Sequence, residues 1–300
     1  MKLNIIQKQA MMRKVLYTLF PVYLYAIYLY GIRLIILTPV VFITGILIEY
    51  FFEKKKNKKV SEAVLVTCAL YLLSLPPRVP IWIAFIGIFV AVFLAKEVFG
   101  GFGRNPFNPA IAGRLFIYIT FPNQMTTGWL VPGNFGIDSI SSATPLAMLQ
   151  NNNAPSIWNM ILGFRSGSMG EGIIFLIVAA GIYLLITKTA SWRIILSTLL
   201  SGLIMAAGFY FFKIANSPNP IYAILSGSFL FVTVFMATDP VSAPKKPLSQ
   251  YIYGIIIGTA IILIRSFSLF IEGTSFAILI ANTFAMLLDE MSTKLKSKKT

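Results

Sequence analysis

Polarity along this chain is arranged in long blocks. Apolar runs fall at 15–31, 34–52, 61–76, 80–98, 109–122, 172–188, 194–212, 220–237, 250–266 and 273–289, each bounded by a short polar or glycine- and proline-marked segment. A bilayer's hydrocarbon core is crossed by about 20 apolar residues of helix, because lipid cannot satisfy backbone N–H and C=O groups. Several runs are shorter than that, so their ends are expected to shift by a few residues. Gly31 and Arg33 divide the first two runs, and Pro76-Pro77 closes the third. The pattern predicts an all-α polytopic membrane protein with about ten transmembrane helices.

Positive charge orients those helices. With the N-terminus inside, 20 of the 25 Lys and Arg residues fall in inner segments, among them EKKKNKK (Glu53 to Lys59) and KLKSKK (Lys294 to Lys299). Arg33, Arg78, Arg165, Lys213 and Arg265 fall outside. This is the bias of the positive-inside rule, and it places both termini in the cytoplasm. Residues 123–171 then form an outer loop far longer than a connection needs. The loop separates a first membrane half (1–122) from a second (172–300), five spans each. An odd number of spans per half sets the halves in opposite orientations, as in inverted-repeat membrane proteins.

Composition agrees and removes whole classes of chemistry. The chain is 57% hydrophobic and 12% charged, with a mean hydropathy of +0.80. Its formal net charge of +15 would suit nucleic acid, but the clustering of basic residues between apolar runs assigns it to the bilayer instead. Cys68 is the one cysteine and histidine is absent. An intramolecular disulfide, a zinc cluster, a self-contained iron–sulfur site, bis-histidine haem ligation and a Ser–His pair are therefore excluded. A redox role must use a cofactor that needs neither residue, flavin foremost. The basic N-terminus, MKLNIIQKQAMMRK, leads into an apolar stretch too long for a signal peptide, and is read as preceding two uncleaved spans.

Three segments carry candidate chemistry. GGFGRNPFNPAIAGR (Gly100 to Arg114) combines glycines that permit positive φ with two Asn-Pro pairs that forbid a regular helix. Its Arg104 and Arg114 suit a phosphate or lipid headgroup, and Asn105 and Asn108 belong to the same segment. The alternative is a tightly packed helix junction. FMATDPVSAPKKP (Phe235 to Pro247) holds Asp239, either a cap or cation ligand or a structural carboxylate. DSISSATPLAML (Asp138 to Leu149) is dense in hydroxyls. Pro145 pushes Thr144 toward extended backbone, and the plain alternative is a turn ahead of a short surface helix. Phe107, Trp129, Phe135 and Trp158 are aromatics able to stack on a planar ring or to anchor the membrane interface.

D-x-x-S-S-A-T, Asp138 to Thr144, resembles the flavinylation motif, in which a threonine hydroxyl is joined to FMN by a phosphoester. With GGFGRNPFNPAIAGR, SATPLA, GSMGE and FMATDPVSAP in the same order, the chain resembles D subunits of Rnf complexes, the ion-translocating ferredoxin:NAD+ oxidoreductases. The related B subunits of sodium-translocating NADH:quinone reductases share the pattern and usually carry a longer N-terminal extension. Ser142 stands where glycine is common in the motif.

The resemblance implies covalent FMN on Thr144, with Asp138, Ser141, Ser142 and Ala143 read by a separate flavin transferase. It also implies a second, non-covalent flavin (riboflavin) and a prokaryotic cytoplasmic membrane as location. The implied partners are the other Rnf components: the A and E membrane proteins, the G flavoprotein, and the B and C iron–sulfur proteins. No catalytic side chain and no metal ligand is expected in this chain. Glu62, Glu97, Glu171, Asp239 and Glu272 sit at or near span ends, which argues against a proton wire through this chain alone. A passive channel or solute transporter on the same two-times-five plan is the rival from another class.

Overall fold

The computed structural model describes residues 6–133, 143–150, 155–214, 217–268 and 273–297. Asp138, Ser141, Ser142, Phe135 and Glu272 lie outside the described residues. The first half comprises α1 (Ala10–Tyr30), α2 (Ile32–Lys55), α3 (Glu62–Leu73), α4 (Ile81–Phe89), which continues into a π-helical stretch (Val90–Glu97), and α5 (Pro109–Thr120). Three short helices follow: α6 (Pro122–Thr127), α7 (Pro145–Gln150) and α8 (Ile157–Leu162). The second half comprises α9 (Ile174–Ile186), α10 (Trp192–Phe211), α11 (Pro220–Leu225), α12 (Phe229–Phe231) with a π-helical turn (Val232–Met236), α13 (Pro247–Phe267) and α14 (Thr274–Ser297). A two-residue parallel pairing of Ile6–Gln7 with Val60–Ser61 ties the N-terminal segment to the head of α3.

Local chemistry explains the boundaries. Gly31, at φ 68°, ends α1 and admits α2 after a single residue. Asn108 caps α5: its Oδ1 accepts from the N–H groups of Ala110 (3.0 Å) and Ile111 (3.4 Å), with Pro109 in the first helical position. Gly100, Gly101 and Gly103 take φ values of 107°, 92° and 87°, as the glycine-rich approach to that cap requires.

One expected span ends early as a helix and another is interrupted. The run at 61–76 is helical only to Leu73, and the run at 220–237 breaks over Ser226–Ser228, where Gly227 has φ 60°. The π-helical stretches carry i→i+5 bonds, from Val98 N to Phe93 O (3.0 Å) and from Ala237 N to Val232 O (2.8 Å).

The halves repeat one pattern of neighbours. In the first, α2 packs on α3 and α4, α1 on α3, and α4 on α5; in the second, α10 packs on α11 and α13, α9 on α12, and α13 on α14. The halves meet where α1 touches α9 and α5 touches α14. By length and composition α2, α10, α13 and Thr274–Leu295 of α14 suffice to cross a membrane, while α3, α5 and α9 are shorter apolar helices. Large apolar side chains face outward, Met286 at 81% and Phe212 at 79% exposure. Such a surface suits lipid, not water.

The tightest pairing, α10 on α13, runs through small residues four apart: Ser197 and Ser201 against Gly254 and Gly258. A Cβ at Gly254 would overlap Ser197 Oγ, and one at Gly258 would overlap the Thr198 carbonyl. Gly258→Leu is expected to destabilise the protein by about 1–3 kcal/mol, seen as a lower thermal midpoint in detergent. Ile255→Val, at an exposed position of the same helix, should leave the midpoint in place.

Candidate functional site: a cavity beneath Thr144

The two broken helices face the same loop. Carbonyls at the end of α3 cannot reach water, and they are taken by the loop backbone: Gly170 N donates to Leu73 O (2.7 Å) and Met169 N to Leu75 O (3.1 Å). Carbonyls around the end of α11 are taken by two buried arginines. Arg265 donates to Ala223 O (2.7 Å) and Ser226 O (3.1 Å), and Arg165 Nη1 donates to Leu225 O (2.6 Å). Arg165 Nη2 also reaches the Glu171 carbonyl (3.1 Å), and the Tyr30 hydroxyl donates to Arg165 O (3.3 Å). These bonds fix the segment 165–172 across both breaks.

Above it lies a cavity of about 320 Å³, lined by Tyr118, Trp129, Thr144, Leu146, Arg165 and Glu171 among others. Thr144 precedes α7, and its Oγ1 accepts from Ala147 N (3.3 Å). Leu146 and Leu149 are buried, so α7 is anchored and not a free surface helix; a Cβ at Gly227 would meet Leu146 Cδ1 at 2.7 Å. Glu171 forms a buried ion pair with Arg114 of α5 (2.6 Å), and Arg114 Nη2 donates to Ser168 Oγ (3.3 Å). Burial pushes the Arg165 guanidinium down to about 10, so it stays charged at neutral pH. The one group bonded to the Thr144 hydroxyl among the described residues is an N–H donor, which cannot accept its proton.

The other two segments meet at the opposite end of α5. There a cavity of about 50 Å³ brings Phe102, Asn105 and Asn108 against Phe235, Asp239 and Val241. Asn108 Nδ2 donates to Met236 O (3.4 Å), and Asn108 N to Asn282 Oδ1 (3.1 Å). Asn105 Nδ2 donates to Phe107 O (3.0 Å), and Arg104 is exposed. Asp239 accepts from Ser242 Oγ (2.7 Å); desolvation pushes its carboxyl up against that bond. Both asparagines are thus engaged as structural ties. Arg114 lies about 1.7 turns along α5 from Asn108, buried against Glu171. Among the aromatics, Trp129 lines the cavity beneath Thr144, Phe107 is half-buried, and Trp158 is 72% exposed.

The family model described as the NQR2, RnfD, RnfE family matches residues 4–298. The chain belongs to that family. The B subunit of the Na(+)-translocating NADH-quinone reductase of Pseudomonas aeruginosa (strain LESB58) is 38% identical to it over 264 residues, 83% of this chain and 64% of the relative. The corresponding protein of Chromohalobacter salexigens is 38% identical over 260 residues (83% and 63%), and that of Yersinia pestis 37% over 268 (83% and 64%). The chain therefore spans somewhat under two thirds of the length of these relatives. With its apolar helices, this family membership makes the chain a multi-pass membrane protein.

This NQR2/RnfD/RnfE family member also buries an ion pair that the sequence pattern does not announce. Glu49 of α2 and Lys96 of the π-helical stretch are 1% and 2% exposed, with Lys96 Nζ 2.6 Å from Glu49 Oε2. Ser61 completes the group, donating to Glu49 Oε1 through N (2.9 Å) and Oγ (2.5 Å). A lone carboxylate inside the run at 34–52 was the available signal. Lys96→Met should cost about 3–5 kcal/mol, because it strands the Glu49 carboxylate. Adding Glu49→Gln should restore part of that loss, measured by thermal unfolding in detergent.

Proposed function

We propose that this chain is the membrane electron-transfer component of a redox-driven ion-translocating complex, and that it carries FMN through a phosphoester on Thr144. One observation carries the reading: the motif threonine stands at the edge of a cavity with aromatic walls and a buried guanidinium beside them. Its 320 Å³ falls in the range of about 300–1,000 Å³ typical of small-molecule sites. Tyr118 and Trp129 suit a planar isoalloxazine, and Thr144 suits the phosphate end. FMN bound there would pass one or two electrons. Among the described residues no base bonds the Thr144 hydroxyl, which supports maturation by an external flavin transferase.

The remaining assignments rest on the same reading. Ten spans in two inverted halves accord with the repeated neighbour pattern and with the short α3 and interrupted α11–α12 at matching places in the two halves. Charge placement supports cytoplasmic termini and an outer position for Thr144, and the family resemblance favours a prokaryotic cytoplasmic membrane. The ordered motifs favour an Rnf-type assembly that oxidises ferredoxin, reduces NAD+ and moves sodium ions or protons, with the A, B, C, E and G components of that assembly as partners. The names of its curated relatives favour the alternative, a Na+-translocating NADH:quinone reductase. No residue is assigned to the second, non-covalent flavin. A passive channel has no use for the Asp138–Thr144 motif.

Co-expressed with a flavin transferase, the wild-type chain should give a flavin-fluorescent band on a denaturing gel, and Thr144→Ala should give none. Fluorescence in both, or in neither, would remove Thr144 from the account.

A further inference from the structure

The cavity beneath Thr144 is electrostatically lopsided. Among the described residues its lining holds one guanidinium, Arg165, and one carboxylate, Glu171, and that carboxylate is paired from behind the wall with Arg114 of α5 at 2.6 Å, which leaves a surplus of positive charge. Among the described residues Arg165 is held by the carbonyls of Leu225 and Glu171, which orient its charge without cancelling it. It is 7% exposed, so water screens it poorly. A fixed, buried positive charge favours whatever becomes negative beside it.

An isoalloxazine ring that takes up two electrons and one proton carries one negative charge. We propose that the cavity seats the isoalloxazine ring of the Thr144-linked FMN, and that Arg165 is a positioning residue whose charge makes that flavin easier to reduce. This rests on the attachment at Thr144. Arg165 takes no electron and no proton. It favours the reduced ring, whose electrons come from a low-potential one-electron donor of the iron–sulfur class in a partner protein. Glu171 acts with the opposite sign from the same cavity, partly offset by Arg114. Structural loss and electrostatic tuning are therefore separable, because tuning depends on the sign of the charge changed and disruption does not.

The test is a spectroelectrochemical titration of the flavinylated full-length chain in detergent at fixed pH and salt. Arg165→Gln should shift the flavin midpoint potential negative, and Glu171→Gln should shift it positive. Both side chains also take part in packing, so a second pair avoids them: Thr126, exposed on the cavity lining, changed to Lys or to Glu. Thr126→Lys should move the potential positive and Thr126→Glu negative. Potentials that stay put, or that move the same way in both members of either pair, overturn the proposal. Denaturing-gel fluorescence on each variant separates the two levels. A wild type without a covalent band removes attachment and seat together, whereas bands with unmoved potentials remove only the seat.

Discussion

A helix that stops inside a membrane protein leaves carbonyl oxygens that neither lipid nor bulk water can satisfy, and this structure is organised around two such ends. At α3 the donors are backbone N–H groups of Met169 and Gly170; around α11 they are the guanidinium groups of Arg165 and Arg265. Every one of these donors must be held in place, so the loop between the halves is a packed part of the protein where it crosses the breaks. Once 165–172 is pinned, Glu171 is set beside Arg114, Leu146 of α7 comes to rest over Gly227, and Thr144 stands at the cavity. The position of the candidate acceptor is thus a consequence of backbone hydrogen-bond accounting.

The same economy separates the two ends of α5. At its start, Asn108 caps the helix and links to Met236 and Asn282, joining the halves with neutral hydrogen bonds beside a cavity of about 50 Å³. Past its far end, the cavity is six times larger by volume and lined by tyrosine, tryptophan and charge. Of the two ends, the second has the room and the lining that suit an aromatic ring and an anionic phosphate. The Asn-Pro segment, for which the sequence allowed either phosphate or headgroup contact or a tightly packed helix junction, supplies capping and helix–helix contact.

Much of the fold was legible because lipid imposes a simple demand on composition. The runs at 15–31, 34–52, 194–212 and 250–266 correspond to α1, α2, α10 and α13 within about five residues, the run at 273–289 starts with α14, which continues eight residues further, and Gly31 marks its boundary in both. The breaks were less legible. Gly227 sits in an apolar run, and nothing nearby announces that Arg165 and Arg265, 60 and 39 residues from their carbonyl acceptors at Leu225 and Ser226, hold the break together. The buried ion pairs were hidden for a related reason: Arg114 and Glu171 lie far apart in the chain, as do Glu49 and Lys96, so each looks like an isolated charge until the helices pack. Thr144 was legible as a motif, whereas the cavity it lines was not, since its walls come from 118–129, 143–147, 165–172 and Gly227.

Peptide mass spectrometry tests the central claim most directly. A peptide containing Thr144, from the chain matured with its flavin transferase, should carry the mass of FMN less one water, with fragment ions that place it on Thr144. An unmodified peptide from flavin-loaded protein, or the same increment on a different residue, would contradict the account.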